Sequence, residues 1–470
     1  MTLSSKKEVT NMEHPSNRQD PFTSFRRLYG TISETFYEKA AFVFMVCLIL
    51  LLFMEQIVQF FFYSFWYLIG FSLLGTAVIF FAFFYGGSRL FRPLPRISVK
   101  GHLHEAALVC FLLWILLSTL FSQNPQYCFL GNDYRVEGLS TYLIYAGFYL
   151  CARLIRSPGL QRKLLWLFAI VGTFLAVMTL LQSFPFFLGL MERCGLSLEY
   201  LPTANMDSIY SHPNHFAYLL AMVIMALAGI CLTEVQTGRK LAAYSMYALC
   251  LFTLIRNNTL GCWLACLLGL IFLFCVMHFG KNIKWHSFLP LTVIFLILTF
   301  CSELLHFCIV NFTNNLTGEL LYTGILSELL KALSDTQNLS VHSENTVRVK
   351  MWIQSLGYIL QRPIFGFGPD GSGVTVFCGV DRPHNEYIQY FVYFGIPGGS
   401  LYLTALFSLL TRCIQKLKSL SPTALVLGGM VFAYCVSAFV GNSMYYSTAY
   451  FVCFLGLLAG ECNRSVSASA

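Results

Sequence analysis

Apolar residues gather in long blocks along the chain, and short polar segments separate one block from the next. Most blocks have about 18 to 25 residues, the length that an α-helix needs to cross a hydrocarbon core of roughly 30 Å. This pattern predicts an all-α polytopic integral membrane protein of about twelve transmembrane helices. The predicted spans lie near residues 40–62, 66–86, 103–121, 138–153, 164–184, 213–233, 241–256, 259–279, 286–307, 386–411, 422–441 and 443–461.

The composition agrees with a membrane protein. Hydrophobic residues make up 57% of the chain and charged residues only 11%, whereas a typical soluble domain has roughly 25% charged residues. We therefore expect one membrane domain at 39–461, between a disordered, polar cytoplasmic tail at 1–38 and a second cytoplasmic tail at 462–470. Because no small-residue cleavage site follows the first apolar block, we interpret that block as a retained signal anchor.

Lys and Arg residues are distributed unevenly between the two sets of loops. Most of the 30 lie on the side that also carries the N-terminus, and since basic loops tend to stay in the cytoplasm, we predict that both termini are cytoplasmic. The basic residues that remain on the outer side are Arg135, Arg193, Arg256, Lys331, Arg348, Lys350, Arg362 and Arg382. The net charge of +8 then follows from topology and from an anionic inner leaflet, and it requires no nucleic-acid partner.

The chain has 17 cysteines, most of them inside the apolar blocks, where Cys behaves as a small, soft apolar side chain. Cys128, Cys194 and Cys378 fall in outer loops, and a disulfide between two of them stays an alternative. No CxxC pair indicates a metal or redox site.

One predicted connection is much longer than the others, at about 308–385, and loops of that length are usually functional. Its stretch at 318–333 is amphipathic and is either a helix on the membrane surface or a simple packing helix. Farther on, Arg348 and Trp352 are four residues apart and would share one face of a helix. Pro363 would end that helix.

The end of this loop carries polar residues at the mouth of the next predicted span. His384, Asn385 and Glu386 stand together there, and Arg382 precedes them. A lone His at a membrane edge is ordinary, but this one shares its loop with several arginines. The combination makes His384 a candidate catalytic residue.

Two further outer loops place polar groups just before a span. One carries Arg135 between two carboxylates, and the other, at 211–219, carries His212 and His215. The two His could ligate a metal. We favour the interpretation that Pro213 starts the helix and that the polar residues cap it, since no carboxylate partner has helical spacing nearby.

These groups suit a substrate that combines a lipid tail, a diphosphate and a glycan. The tail can lie between spans, while arginines just outside the membrane bind the diphosphate oxygens in bidentate fashion. The same arginines would stabilise the charge that develops on the leaving group, and a nearby His could take a proton from an acceptor hydroxyl. Because no acidic metal cage or Asp-x-Asp motif is apparent, we predict metal-independent glycosyl transfer that needs no cofactor.

The sequence between Arg348 and Asn385 resembles the signature of the O-antigen ligase and O-antigen polymerase superfamily. The residues that carry this resemblance are Arg348, Trp352, Pro363, Gly366, Gly368, His384 and Asn385. The stretch at 211–219 is similar to the family's PN-x-x-A start of a middle span, and the stretch at 134–147 to its R-x-x-G start of an early span. The resemblance extends over about 103–460, and members have about twelve spans and a large outer loop.

The resemblance implies a glycosyltransferase of the bacterial plasma membrane whose donor is a glycan on undecaprenyl diphosphate. It makes His384 the general base and Arg348 the residue that binds the diphosphate. One departure matters: Leu260 occupies the position of a second family Arg, and Arg256 or Arg135 would have to compensate. The other residues predicted to bind substrate are Arg382, Asn385, Glu386, His215 and Trp352.

The resemblance does not separate two reactions. A polymerase transfers the growing glycan to another lipid-linked repeat, whereas a ligase transfers it to a lipid core, a protein or the cell wall. An alternative function is translocation of a lipid-linked oligosaccharide, which would place ionisable groups near the bilayer centre. The acidic residues of the predicted spans lie toward span ends instead, and they are Glu55, Glu105, Glu234 and Glu303. A non-catalytic membrane scaffold is the third alternative.

Overall fold

The computed structural model describes residues 32–62, 66–90, 102–133, 135–183, 189, 193, 206, 208–210, 212–317, 324–326, 329–330 and 344–467. Within these ranges the chain is helical, and its extended pairing is limited to an isolated bridge between Phe377 and Val380. The all-α prediction is confirmed. The predictions for 1–31, for most of 318–333 and for Cys194 fall outside the described residues, whereas Cys128 and Cys378 are free thiols.

Each of the twelve predicted spans coincides with a helix, and among the described residues two further helices lie in loops. In chain order the helices are α1 (Glu34–Phe62), α2 (Tyr67–Leu90), α3 (Leu103–Leu120), α4 (Pro125–Leu130), α5 (Leu139–Leu154), α6 (Pro158–Gln182), α7 (Pro213–Thr233), α8 (Thr237–Asn257), α9 (Leu260–Lys281), α10 (Leu289–Thr317), α11 (Glu344–Gln361), α12 (Glu386–Gln415), α13 (Pro422–Ser437) and α14 (Tyr445–Ser467). The loop helices are α4 and α11. Single 3₁₀ turns occur at Trp285–Ser287, Pro369–Gly373 and Ala438–Val440.

Eight of the described helices are long and apolar enough to cross a membrane: α1, α2, α3, α6, α7, α9, α12 and α13. In α10 the apolar part is shorter, at Leu289–Leu304. The less apolar helices α5 and α14 pack against each other, and their polar groups bond within the protein, as Tyr450 does to Tyr67 at 3.0 Å. Such helices are shielded from lipid by their neighbours and tolerate polar side chains. The chain is a multi-pass membrane protein.

The centre of the bundle is α7, in which every residue from His215 to Cys231 is buried. The helices α6, α8, α9 and α13 pack around it. A helix that is apolar on all sides is expected at such a position. The first turn of α7 is thereby held rigidly at one end of the bundle.

Ion pairs gather at the other end of the bundle. Arg153 binds Glu105, with Nη2 3.0 Å from the carboxylate, and Arg162 binds Glu234 at 2.7 Å. Lys281 lies there too. We name this the basic end, defined by Glu105, Arg153, Arg162, Glu234 and Lys281.

The helix α12 is interrupted at Gly395, whose φ of +69° favours glycine. The loop after α11 docks at this break. The Ile396 N–H donates to the Pro363 carbonyl at 2.8 Å, and the Gly368 N–H donates to the Tyr393 carbonyl at 2.8 Å. These bonds satisfy backbone groups that the helix itself leaves unpaired, and they fix the loop against the first half of α12.

Candidate active site

Four segments that are distant in the sequence meet at the end of the bundle opposite the basic end. They are the loop before α5, the start of α7, the start of α12 and the turn before α14. Their side chains enclose a cavity of about 20 Å³, which is room for about one water molecule. The lining residues are Arg135, His212, Asn214, His215, Tyr218, His384 and Asn442.

The backbone on both sides of His384 is fixed by two of the predicted site residues. The Trp352 indole N–H donates to the Pro383 carbonyl at 3.0 Å. Asn385 is the N-cap of α12, and its Oδ1 accepts from the Ile388 N–H at 3.0 Å. His384 itself has a φ of +50°. Trp352 and Asn385 therefore position His384, and their side chains do not line the cavity.

The imidazole of His384 is neutral at neutral pH. Burial lowers its pKa to about 4, and the positive charge of Arg348 acts in the same direction, as do those of His212 and Arg135. Arg348 is half-buried on α11 and does not line the cavity, but its charge lies close enough to act on His384. A neutral imidazole has one ring nitrogen that can accept a proton.

Asn442 decides which ring nitrogen of His384 is free. Its amide nitrogen lies 3.5 Å from Nδ1 of His384, while its amide oxygen is buried and makes no hydrogen bond. In this orientation Nδ2 would donate to Nδ1, whereas with the amide turned over, which has the same shape, Oδ1 would accept the Nδ1–H. Nε2 of His384 is then the nitrogen that accepts a proton.

Arg135 joins two parts of the cavity. Its Nε and Nη2 donate to the two carboxylate oxygens of Asp381 at 2.8 and 3.0 Å, and its Nη1 lies 3.2 Å from Nε2 of His215. Because a guanidinium can only donate, Nε2 of His215 is the accepting nitrogen. Burial alone would raise the pKa of Asp381, but the hydrogen bonds and charge of Arg135 hold it below its usual range. Asp381 thus offers Arg135 the two oxygens that a phosphate would offer.

Arg382, which was predicted to bind substrate, does not line this cavity. Its side chain is 0% exposed. The guanidinium pairs with Glu137 at 2.7 Å and with Asp370, and Nη1 also donates to the Ser443 carbonyl at 2.6 Å. A buried cation between two carboxylates holds three loops together, and loss of one partner would leave an unpaired buried charge. Arg382 is therefore a structural residue beneath the cavity.

Glu386 is also away from the cavity, although it was predicted to bind substrate. Its buried carboxylate accepts hydrogen bonds from the hydroxyls of Tyr402 at 2.7 Å and Tyr434 at 2.9 Å. The Tyr434 hydroxyl lies in turn 2.9 Å from that of Thr448. This network ties the first turn of α12 to α13 and α14.

Arg256 is not among the lining residues either. It precedes the turn between α8 and α9, where polar neighbours support the start of α7. Asn257 Nδ2 donates to the Pro213 carbonyl at 3.1 Å, and Thr259 Oγ1 donates to Asn214 Oδ1 at 3.1 Å. The turn supports the cavity through these two side chains.

The 211–219 stretch starts a helix, as its Pro predicted. Pro213 is the first residue of α7, and Nδ1 of His212 accepts from the Asn214 N–H at 3.2 Å. Over the part of the chain that the structure describes, no group of three or more His, Cys, Asp or Glu side chains could hold a metal ion. His212 and His215 instead line the cavity with Arg135.

The sequence analysis gave no site role to the lining residues Asn214, Tyr218 and Asn442. Tyr218 follows His215 by one turn and looks like any aromatic residue of an apolar block. Asn442 stands in the short polar sequence 441–443 between two apolar blocks. The polar residues Asn442 and Ser443 at this turn were the one sequence signal of a site there.

The fold and the cavity define a multi-span membrane protein with a polar site at one end of its helix bundle. Residues 245–403 match the family model described as O-antigen ligase. This match supports the resemblance of the chain to the O-antigen ligase and polymerase superfamily. The match supports a role in glycan transfer at a membrane in polysaccharide assembly. No curated protein matches the chain.

The matched segment contains only part of the cavity. His384 and Arg348 lie inside the matched segment, whereas Arg135, His215 and Asn442 lie outside that segment. The bundle brings both groups together, since α7 and α14 flank the helices of the matched segment.

Proposed function

We propose that the protein transfers a glycan from an undecaprenyl-diphosphate carrier to an acceptor hydroxyl, by a polymerase-type or ligase-type reaction that uses no metal. The observation that carries the proposal is the neutral His384 in one cavity with Arg135, with Arg348 close enough to lower its pKa. A proton acceptor beside two guanidinium groups is the set of parts that a diphosphate-linked donor requires. The acceptor belongs to another lipid-linked glycan, to a lipid or to the cell wall.

The transfer step balances with these groups alone. Nε2 of His384 takes the proton of the acceptor hydroxyl while the acceptor oxygen attacks the anomeric carbon of the donor glycan. The bond from that carbon to the diphosphate oxygen breaks, and its electron pair stays on the diphosphate. Arg135 and Arg348 bind the negative charge that develops there. The products are the new glycoside and undecaprenyl diphosphate, to which the proton on His384 can pass.

Arg135 is the residue that compensates for Leu260. It supplies the guanidinium at the cavity, whereas Arg256 does not line it. A cavity with room for about one water molecule cannot hold a diphosphate, so the donor must exchange with the group that Arg135 now binds. We propose that the diphosphate replaces the Asp381 carboxylate on Arg135.

In this proposal the remaining predicted residues position His384, Arg135 and Arg348. Trp352 and Asn385 hold the backbone of His384, and His215 accepts from Arg135. Arg382 and Glu386 fasten the loops below. In this proposal they act through the catalytic groups and do not touch the substrate.

The proposed orientation places the basic end in the cytoplasm, together with both termini, in a bacterial plasma membrane. The His384 cavity then faces the outer side, and the 308–385 segment supplies His384 to it. Membrane lipid surrounds the bundle, and the carrier reaches the protein by lateral diffusion in the bilayer.

The test is release of undecaprenyl diphosphate by the purified protein in liposomes that contain a lipid-linked oligosaccharide, with EDTA and no added metal. Wild type should release it, and His384→Ala should lower the rate by about 10²–10⁴-fold, the usual contribution of a general base. His286→Ala is the matched control, because His286 is exposed on the opposite side of the bundle. The size distribution of the product separates a polymerase from a ligase.

Two results would contradict the proposal. Equal rates for His384→Ala and wild type would show that His384 has no role in the reaction. No release with the cognate donor and a range of acceptors, together with movement of the donor between leaflets, would make the protein a translocator.

A further inference from the structure

A second cavity lies away from His384, between α3, α5, α12 and α14. Its volume is about 350 Å³, within the range of small-molecule sites. Its wall is apolar over most of its length, as at Phe111, Leu112, Ala146 and Val452. Val109 on its rim is 59% exposed on the side of the bundle, so the cavity opens toward the hydrocarbon of the bilayer.

The cavity is polar where it reaches the basic end. Arg153 and Glu105 both line it there and form an ion pair. The Glu105 carboxylate is already well supplied with donors, since Asn463 Nδ2 donates to it at 2.7 Å and His102 Nδ1 lies 3.0 Å away. No further cation is needed to balance it.

Arg412 does not line the cavity, but it adds a second guanidinium near its polar end. Its side chain is only 9% exposed, and its Nη1 is buried without a hydrogen-bond partner. Arg412 and Arg153 both lie close enough to the buried His104 to act on its charge. A buried N–H donor without an acceptor is rare, because it loses its bonds to water and gains none in return. The region therefore lacks an acceptor, and an anion would supply one.

We propose that this second cavity binds an anionic phospholipid of the leaflet at the basic end, with an acyl chain among the apolar residues and the phosphate on Arg412 and Arg153. The shape and the charge agree with one such molecule: the chamber is apolar and open to the side of the bundle, and near its polar end lies a buried guanidinium nitrogen, Nη1 of Arg412, that has no acceptor. The carrier of the glycan fits less well, because its diphosphate belongs at the His384 cavity, at the opposite end of the bundle.

Such a lipid would also support the site at a distance. The far end of the second cavity is lined by Tyr402 and Thr448. Tyr402 donates to Glu386, and Thr448 bonds to Tyr434, which donates to Glu386 as well. An acyl chain against these side chains packs the start of α12, two residues after His384.

The experiment measures lipid binding to the purified full-length protein in detergent, by native mass spectrometry and by thermal unfolding. The probes are phosphatidylglycerol, phosphatidylcholine and undecaprenyl phosphate. We expect one phosphatidylglycerol to bind about tenfold more tightly than phosphatidylcholine and to raise the melting temperature.

Two variants test the two halves of the site. Arg412→Gln should remove the preference for phosphatidylglycerol, and Ala146→Phe should fill the chamber and weaken both phospholipids. Their controls are Arg239→Gln and Ala242→Phe, since both residues are exposed on α8. Ala146→Phe should leave the melting temperature without lipid unchanged, which separates loss of the site from misfolding.

Three results would overturn the inference. The first is equal binding of phosphatidylglycerol and phosphatidylcholine by wild type. The second is unchanged phosphatidylglycerol binding in both variants. The third is displacement of phosphatidylglycerol by equimolar undecaprenyl phosphate, which would assign the chamber to the carrier instead.

Discussion

Arg135 and Asp381 form a two-bonded pair, at 2.8 and 3.0 Å, directly beside the cavity that His384 lines. The residues are far apart in the sequence, and their pairing closes the loop before α5 onto the loop before α12. Since the carboxylate binds the guanidinium in the manner of a phosphate, the pair is a closed state of the anion site in the proposed mechanism.

Asp381→Asn tests this competition. An amide binds a guanidinium more weakly than a carboxylate does, so the donor should displace it more easily and KM for the lipid-linked donor should fall several-fold. Steady-state release of undecaprenyl diphosphate gives the value, and Asp381→Glu is the control that keeps the charge. A fall in kcat with unchanged KM would show instead that Asp381 orients Arg135.

The pH dependence of kcat/KM should report His384. The base must be neutral, so activity is present above its pKa and is lost as the pH falls through it. With the pKa at about 4, kcat/KM should stay flat from pH 8 down to about pH 5 and then decline. A decline centred near pH 6.5, the ordinary His value, would contradict the burial of this imidazole.

Arg348→Gln should move that decline to higher pH. The positive charge of Arg348 lowers the pKa of His384, so its removal raises the pKa and activity is lost at a higher pH than in wild type. Arg348→Lys keeps the charge and should leave the position of the decline unchanged, even if the rate falls. An identical pH profile for all three proteins would show that the charge of Arg348 does not act on the pKa of His384.

Arg382→Gln should destabilise the fold. It leaves Glu137 and Asp370 buried without their cation, a change that costs about 3–5 kcal/mol in comparable sites. Thermal unfolding in detergent should show a clearly lower melting temperature than for Arg239→Gln, which changes an exposed Arg. A normal melting temperature with a raised KM would indicate instead that Arg382 binds the substrate.

Gly395→Ala should disturb the break in α12. A Cβ at this position would collide with the carbonyl oxygen of Ile364, and the φ of +69° is unfavourable for Ala. We expect a lower melting temperature and lower activity. Gly357→Ala on α11 is the control, because its Cβ would meet open space. Equal behaviour of the two variants would mean that the docked loop does not depend on this break.

The helices could be predicted because their information is local. A run of apolar residues long enough to span a membrane specifies a helix by itself, and each of the twelve runs became one. The hydropathy of α5 and α14 did not predict that they pack against each other and are shielded from lipid, because shielding depends on the neighbours of a helix.

The candidate site was partly predictable, for a related reason. The sequence around His384 indicated which loop was special, but it could not show that Arg382 pairs with Glu137, since partners distant in the sequence leave no local pattern. Asn442 was missed on the same ground. An exposed Arg that binds substrate and a buried Arg between two carboxylates look alike until the fold brings their partners together.

The turn before α14 has a consequence for how the enzyme comes into being. Asn442 and Ser443 reach the cavity and the Arg382 network only after the last two helices have entered the bundle. A nascent chain inserted as far as α12 therefore carries His384 without the contacts that orient it. In the proposed mechanism the site is complete only after the last helix has entered the bundle, so an incomplete chain left in the membrane would be unable to consume the carrier.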